Sequence, residues 1–279
     1  MANAYGDLTT LKSAAFLNVP DDAHDGRLLD LLEATSRWID GYCDRQFAAI
    51  HAERRFDGTG KVALAAPDVI SVSDLRVRDP GAGEWIAWPS DRWLLYPLNA
   101  APMEPGCRPY TRIMAMGDGG RFPLSRGGVS ISGVWGYADV REDTGLSLSG
   151  AVADMDGAVA VTAGDAAILS AGHTVRIGDE QLYVTGVVDD GQGALTLAAR
   201  RGVNGTTAAS HTPGAGVSVY RYPRAVMEAC LLQAAVWWRE RLAGPFPSPP
   251  ADWGDVGGIS PTARVLLEPY RRRTAALGV

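Results

Sequence analysis

The run Gly128-Val129-Ser130-Ile131-Ser132-Gly133 is the nearest this chain comes to a nucleophile elbow. That device needs Gly-x-Ser-x-Gly on a strand-to-helix turn; here the second glycine falls one position late, inside a strand-like alternation. Gly58-Thr59-Gly60-Lys61 imitates half of a phosphate loop, but Arg55 stands where the upstream glycine belongs and Val62 follows the lysine in place of Ser or Thr. It reads as a hairpin turn. Gly117-Asp118-Gly119-Gly120 lacks dinucleotide spacing and opens no helix. Asp154-x-Asp156-Gly157 begins like a calcium loop without the later bidentate Glu. Asp189-Asp190 before Gly191 pairs two carboxylates, yet adjacent acids before glycine fit a solvated turn better than glycoside chemistry. His24, His51, His173 and His211 lie far from one another and from Cys43, Cys107 and Cys230, so no metal-ligand spacing exists. The cysteines read as small buried groups. No catalytic residue, cofactor or metal is expected, and the chain is not expected to be an enzyme.

Composition narrows the classes further. The 279 residues are 46% hydrophobic and 21% charged with mean hydropathy −0.04, which is globular. The net charge of −6 disfavours a protein that neutralises phosphates over a broad face. No apolar run is long enough to span a bilayer, and the first residues lack the basic and apolar regions of an export signal. Of the 26 basic residues only Lys12 and Lys61 are lysine. Codon usage in a GC-rich genome explains such a bias, and so does selection for planar, multidentate contacts at interfaces.

The elements follow from periodicity. Leu8, Leu11, Ala15 and Phe16 share a helical face over 8–17, ended by Pro20. Leu28, Leu31, Leu32, Thr35, Trp38, Ile39 and Tyr42 recur at three and four, which predicts an amphipathic helix over 25–46. The period then changes to two across 52–137, in short runs at 54–58, 61–64, 69–72, 75–78, 93–96, 112–114 and 129–135, implying antiparallel pairing. Four prolines in 97–109 predict a projecting loop. Residues 146–222 contain no Trp, Phe or Cys and show strands at 174–177, 181–187, 195–197 and 217–220, separated by glycine turns. That shift marks an inserted all-β barrel or sandwich. Helices return at 223–242 and 260–272, with Ser260 as N-cap, Pro261 in the first turn and Arg271-Arg272-Arg273 at the C-terminal end. The segments 1–145, 146–222 and 223–279 carry net charges of −5, −3 and +2. The expected fold is α+β: N- and C-terminal helices forming a bundle, a central antiparallel β-region, and the inserted module. The domains are expected at 1–145 plus 223–279, and 146–222.

Several strings, weak singly and specific together, give this order of elements a likeness. They are Leu8-Thr9-Thr10-Leu11-Lys12, Leu28 to Ala34, Ile39-Asp40-Gly41-Tyr42-Cys43-Asp44-Arg45-Gln46-Phe47, Arg55-Phe56-Asp57-Gly58, Val69 to Val72, Asp91 to Asn99, Ile131 to Tyr137 and Leu267-Glu268-Pro269-Tyr270-Arg271-Arg272. Together they resemble the head-tail connector (adaptor) proteins of tailed bacteriophages, over 1–145 and 223–279. The 146–222 block, with Ile177 to Val184 and Arg200 to His211, looks like a small β-module of phage virion proteins, and departs from the shortest, mainly helical adaptors. The resemblance implies a structural protein of the virion neck, assembled in the host cytoplasm, without membrane contact. It implies a ring, usually of twelve subunits, between the portal above and a stopper or tail-completion protein below, with DNA passing through unbound. An acidic subunit suits a channel that must let DNA slide. Arg264, Tyr270, Arg271, Arg272 and Arg273 are then candidates for portal docking, or else a solvated helix end. Trp38, Tyr42, Arg45, Trp237 and Trp238 are either core or subunit interface. The alternatives are a virion adhesin or baseplate component whose 146–222 module binds carbohydrate or another virion protein, and a hydrolase. Against the first, the module has Tyr183, Tyr220 and Tyr222 but no Trp to stack on sugars; against the second, no catalytic constellation is present.

Overall fold

The computed structural model describes residues 3–272 except 80, 82, 107, 118, 119, 163–167, 190, 192, 193 and 243–257. It is an α+β protein with two antiparallel sheets and few helices. Internal contacts divide it into two compact units, 1–44 with 141–279, and 45–140. This groups the helices with the strands of the 146–222 block, where composition grouped them with the first β-region.

In the first unit, α1 (Leu8–Lys12) starts at Asp7, whose carboxylate accepts from the Thr10 N–H at 2.8 Å. Residues 13–17 form turns and Ala15 is exposed, so the helix is shorter than the 8–17 expected. α2 (Asp25–Cys43) buries Leu28, Leu32, Thr35, Ser36 and Ile39 along one side, as its three-and-four spacing requires. It ends three residues early because Asp44 turns left-handed, φ 50°. α3 (Arg224–Leu242) packs against α2 and α4 through Val226, Ala229, Cys230 and Ala234. α4 (Pro261–Leu267) is capped by Ser260, which accepts from the Ala263 N–H, and Pro269 then reduces it to a 3-10 turn over Glu268–Tyr270.

The same unit holds the second sheet. Its strands are β7 (Val140–Ser147), β8 (Ala158–Thr162), β9 (Thr174–Ile177), β10 (Glu180–Asp189), β11 (Ala194–Arg200) and β12 (Gly216–Arg221), in the order β7-β12-β9-β10-β11-β8. The sheet thus begins at Val140, before the composition break. Val159, Val161, Val175, Ile177, Leu182, Val184, Leu195, Leu197, Val217 and Val219 form its core. Leu148, just after β7, bridges to Val161 of β8, and Ser149 N–H donates to Ala160 O.

The second unit holds β1 (Ile50–Gly58), β2 (Ala63–Arg78), β3 (Trp85–Ala87), β4 (Trp93–Tyr96), β5 (Tyr110–Ala115) and β6 (Ser125–Trp135). The order is β1-β6-β2-β5-β4, with β3 on β2. β6 lies between β1 and β2, so 59–62 joins strands that are not neighbours and is not the hairpin expected of Gly58 to Lys61. The three runs expected within 61–78 are one strand, because β-bulges opposite β5 and β6 absorb the breaks in alternation. Leu64, Val69, Leu75, Val77, Ile113, Phe122, Val129, Ile131 and Trp135 form the core, and the Trp135 indole donates to Ala52 O.

Candidate functional site

On α2, Trp38 and Tyr42 stand one turn apart and stack, ring centroids 5.4 Å apart at 25°. Trp237 of α3 meets Trp38 edge-on at 5.9 Å and 74°. On the other side of Tyr42 the chain returns from the C-terminal 3-10 turn. The Arg271 guanidinium lies 4.9 Å from the Tyr42 ring centre, with Glu268 Oε2 3.4 Å from its Nη1. The Arg272 N–H donates to Cys43 O, satisfying one of the carbonyls that a helix end leaves without an intrahelical partner. Trp237, Trp38, Tyr42 and Arg271 therefore form one continuous strip, the three rings half-buried and the arginine exposed. It combines the residue types that carry binding energy at protein interfaces.

The strip joins members of both sequence-derived sets, but not all of them. Trp238 is buried and packs against His24 at 5.4 Å, so it belongs to the core. Arg45 lies in the other unit, 3.8 Å from Asp68 and over the Tyr137 ring at 5.4 Å. Arg264 is exposed on α4; Tyr270 is half-buried, and burial raises its pKa. Arg273 lies outside the described residues, as do Cys107, Asp190 and residues 243–257.

A buried charge cluster was missed at sequence level. The Glu180 carboxylate is fully buried and accepts from Arg201 Nε at 2.6 Å and Nη2 at 2.7 Å, from the Gly202 and Ala209 N–H groups, and lies 2.8 Å from His211 Nε2. Burial alone would push this carboxyl up; the bonds from Arg201, the Ala209 amide, His211 and the Gly202 amide outweigh it and hold it at about 2. Arg201 also donates to Ala153 O, Asp156 O and Ala209 O. These bonds clasp the loops around 153–156 and 201–211 to the start of β10. The signal was present in Glu180, Arg201 and His211, but no fixed spacing announces an ion pair formed across a sheet.

The N-terminal segment is tied down comparably. The Leu8 N–H donates to Ala171 O, the Thr9 N–H to Ser170 Oγ, Tyr5 OH to Asp40, and Arg37 to Asn3 Oδ1. His173 accepts from the Ser170 N–H through Nδ1 at 3.1 Å, and its Nε2 is 3.9 Å from Asp7. Burial lowers this imidazole to about 4 despite the nearby Asp7.

No protein-family model matches the chain, and neither does any curated protein. Among solved structures it is similar to a chain from the neck of an empty GTA particle computed with C6 symmetry, at 15% identity and a TM-score of 0.44, over 100% of this chain and 98% of that one. A likeness that loose assigns neither fold nor function.

The remaining sequence candidates resolve locally. Asp189 accepts from the Gly191 N–H in a turn, and Asp156 from the Ala153 N–H. Among the described residues no group of three or more His, Cys, Asp or Glu is placed to hold a metal. No described helix is long and apolar enough to cross a membrane. Cys43 and Cys230 are buried, and burial pushes the Cys230 thiol up to about 11. Tyr183 and Tyr220 are buried and Tyr222 packs edge-on against Tyr5, so none makes a platform for a sugar ring.

Proposed function

We propose that this chain is a structural protein of a tailed-phage virion neck, an adaptor ring joining the portal to the tail. The observation that carries the reading is the strip Trp237–Trp38–Tyr42–Arg271, where half-buried aromatics and an exposed cation share one face. The motif ensemble of the sequence supports it independently. In this reading Arg264, Tyr270, Arg271, Arg272 and Arg273 dock on the portal, and the ring, of twelve subunits, passes DNA without gripping it. A stopper or tail-completion protein sits below. The 140–222 strands close as a small barrel, to which the Leu148–Val161 bridge contributes. The chain acts by assembly in place of turnover, and its buried Glu180 carboxylate is held by Arg201, Gly202, Ala209 and His211 of its own fold.

Mixing the purified chain with purified portal and measuring the mass of the complex tests this. A ring on the portal is expected, and Arg271→Ala is expected to weaken attachment by about tenfold, a loss on the order of 1.4 kcal/mol. Unchanged attachment by Arg271→Ala and Arg264→Ala together would remove portal docking from this surface.

A further inference from the structure

Among the described residues Met155 is the most exposed large apolar side chain, at 89%. It stands in a turn between Asp154 and Asp156, which are exposed too. The turn is held firmly. The Asp156 carboxylate accepts from the Ala153 N–H at 2.7 Å, and Arg201, itself bound to the buried Glu180, donates to Ala153 O at 2.8 Å and to Asp156 O at 3.0 Å. Glu180 already balances the charge of Arg201, so Asp154 and Asp156 leave the turn acidic. A fixed apolar tip between two carboxylates gives up little freedom when it docks.

The first sheet carries a surface that matches it. Leu64, Ile113 and Ala115 lie in the core of that sheet and Trp93 and Leu95 pack against it, so alternation sets Ala63, Met114 and Leu94 on the opposite face. These three are register partners across β2, β5 and β4, and form an apolar row with Leu94 exposed. The pairing continues one step on, where the Ala115 N–H donates to Val62 O and the Met116 N–H to Arg92 O; this brings Lys61, exposed Met116 and Arg92 to the next row. On the other side Arg112 shares a row with Ala65 and Tyr96. Lys61, Arg92 and Arg112 are exposed, so cations flank the apolar row on both sides. Among the described residues no ion pair or side-chain hydrogen bond engages these three. The complementarity extends to the whole units: residues 45–140 carry 11 basic and 10 acidic groups, the rest of the chain 15 and 22. Resting on the ring reading above, we propose that Met155 of one copy docks on the Ala63–Met114–Leu94 row of the next, with Asp154 and Asp156 toward its cations. The occupant is a second copy because this chain carries both halves of the match. Contact between unlike patches leaves a free tip at one end and a free row at the other, which is the kind of interface that closes into rings.

Full-length Met155→Cys and Leu94→Cys variants, mixed with and without purified portal and oxidised with copper phenanthroline, test it by peptide mapping. A disulfide is expected between position 155 of one variant and position 94 of the other, and between two copies of the same variant at neither. Met155→Ser and Arg112→Glu are each expected to weaken the contact between copies by about tenfold, read as the protein concentration at which assemblies form. Both side chains are exposed, and thermal melts check that the variants fold as the wild type does. The outcomes separate this contact from the reading it rests on. A ring on the portal without the 155–94 link, or one that Met155→Ser forms equally well, overturns the contact and leaves the ring. The link between copies without attachment to the portal keeps the contact and overturns the portal reading. Neither ring nor link overturns both, and a link from position 155 to the portal overturns the contact by making the portal its occupant.

Discussion

Glu180 and His173 both make stability fall in acid, over windows that meet between about pH 4 and 4.5. The unfolded Glu180 carboxyl titrates near 4.5 and the folded one at about 2. The unfolded chain therefore binds more protons between those values, and stability falls as pH drops through them. His173 is held neutral by burial at about 4 against 6.5 unfolded, so its contribution is lost earlier, as pH falls from about 6.5 to 4. Urea unfolding across pH is expected to show both losses. Glu180→Gln removes the charge that Arg201 needs and is expected to cost about 3 to 5 kcal/mol at neutral pH, with a flatter profile below pH 4.5. His173→Gln retains an acceptor for the Ser170 N–H but takes up no proton. It is expected to flatten the profile between 6.5 and 4 and leave the lower window unchanged. A His173→Gln curve parallel to wild type in the upper window would show that this imidazole titrates as it does in the unfolded chain.

Elements with strong periodicity were legible in sequence. α2 starts at Asp25 as its spacing predicts, β9 and β4 match their runs, and Ser260 caps α4 as its residue type suggests. β7 and β8 were not seen. Val140–Ser147 holds Arg141, Glu142 and Asp143 in a row, and Ala158–Thr162 is too short and small to separate from a loop, so pairing partners alone make them strands. Half of the strip was legible too, since Trp38 and Tyr42 lie on one helix. That Arg271 would cap them depends on Pro269 and on the Arg272 bond to Cys43, neither of which periodicity encodes. Close backbone approach is equally invisible in a pattern. Gly136 follows β6 with φ 139°, and a Cβ there would overlap the Ala48 carbonyl oxygen. Gly136→Ala is expected to destabilise the chain by about 1 to 3 kcal/mol, read by chemical denaturation.

At the scale of the whole chain, the placement of α4 decides how the portal reading can be tested. Ala263 and Leu267 are buried, and Gln233 of α3 bonds both the Ser260 N–H and Gly258 O. Deleting 260–279 is therefore expected to lower the melting temperature as well as attachment, whereas Arg271→Ala is expected to lower attachment alone; calorimetry separates the two. An equal drop in melting temperature for both would make Arg271 a folding residue. The net charge of −6 bears on the same proposal: Asp21, Asp22 and Asp30 are exposed, and in the adaptor proposed above such acid would repel a passing polyanion. The division into compact units bears on synthesis. Residues 45–140 are contiguous and emerge from the ribosome complete, while 1–44 must find partners in 141–279. Leu28, Leu32 and Ile39, and the buried stretch from Asn3 to Leu8, thus wait while some hundred residues are translated, on the order of ten seconds. During that interval the nascent chain carries the apolar face of α2 before α3 and α4 exist to cover it, the kind of transiently exposed surface that chaperones bind.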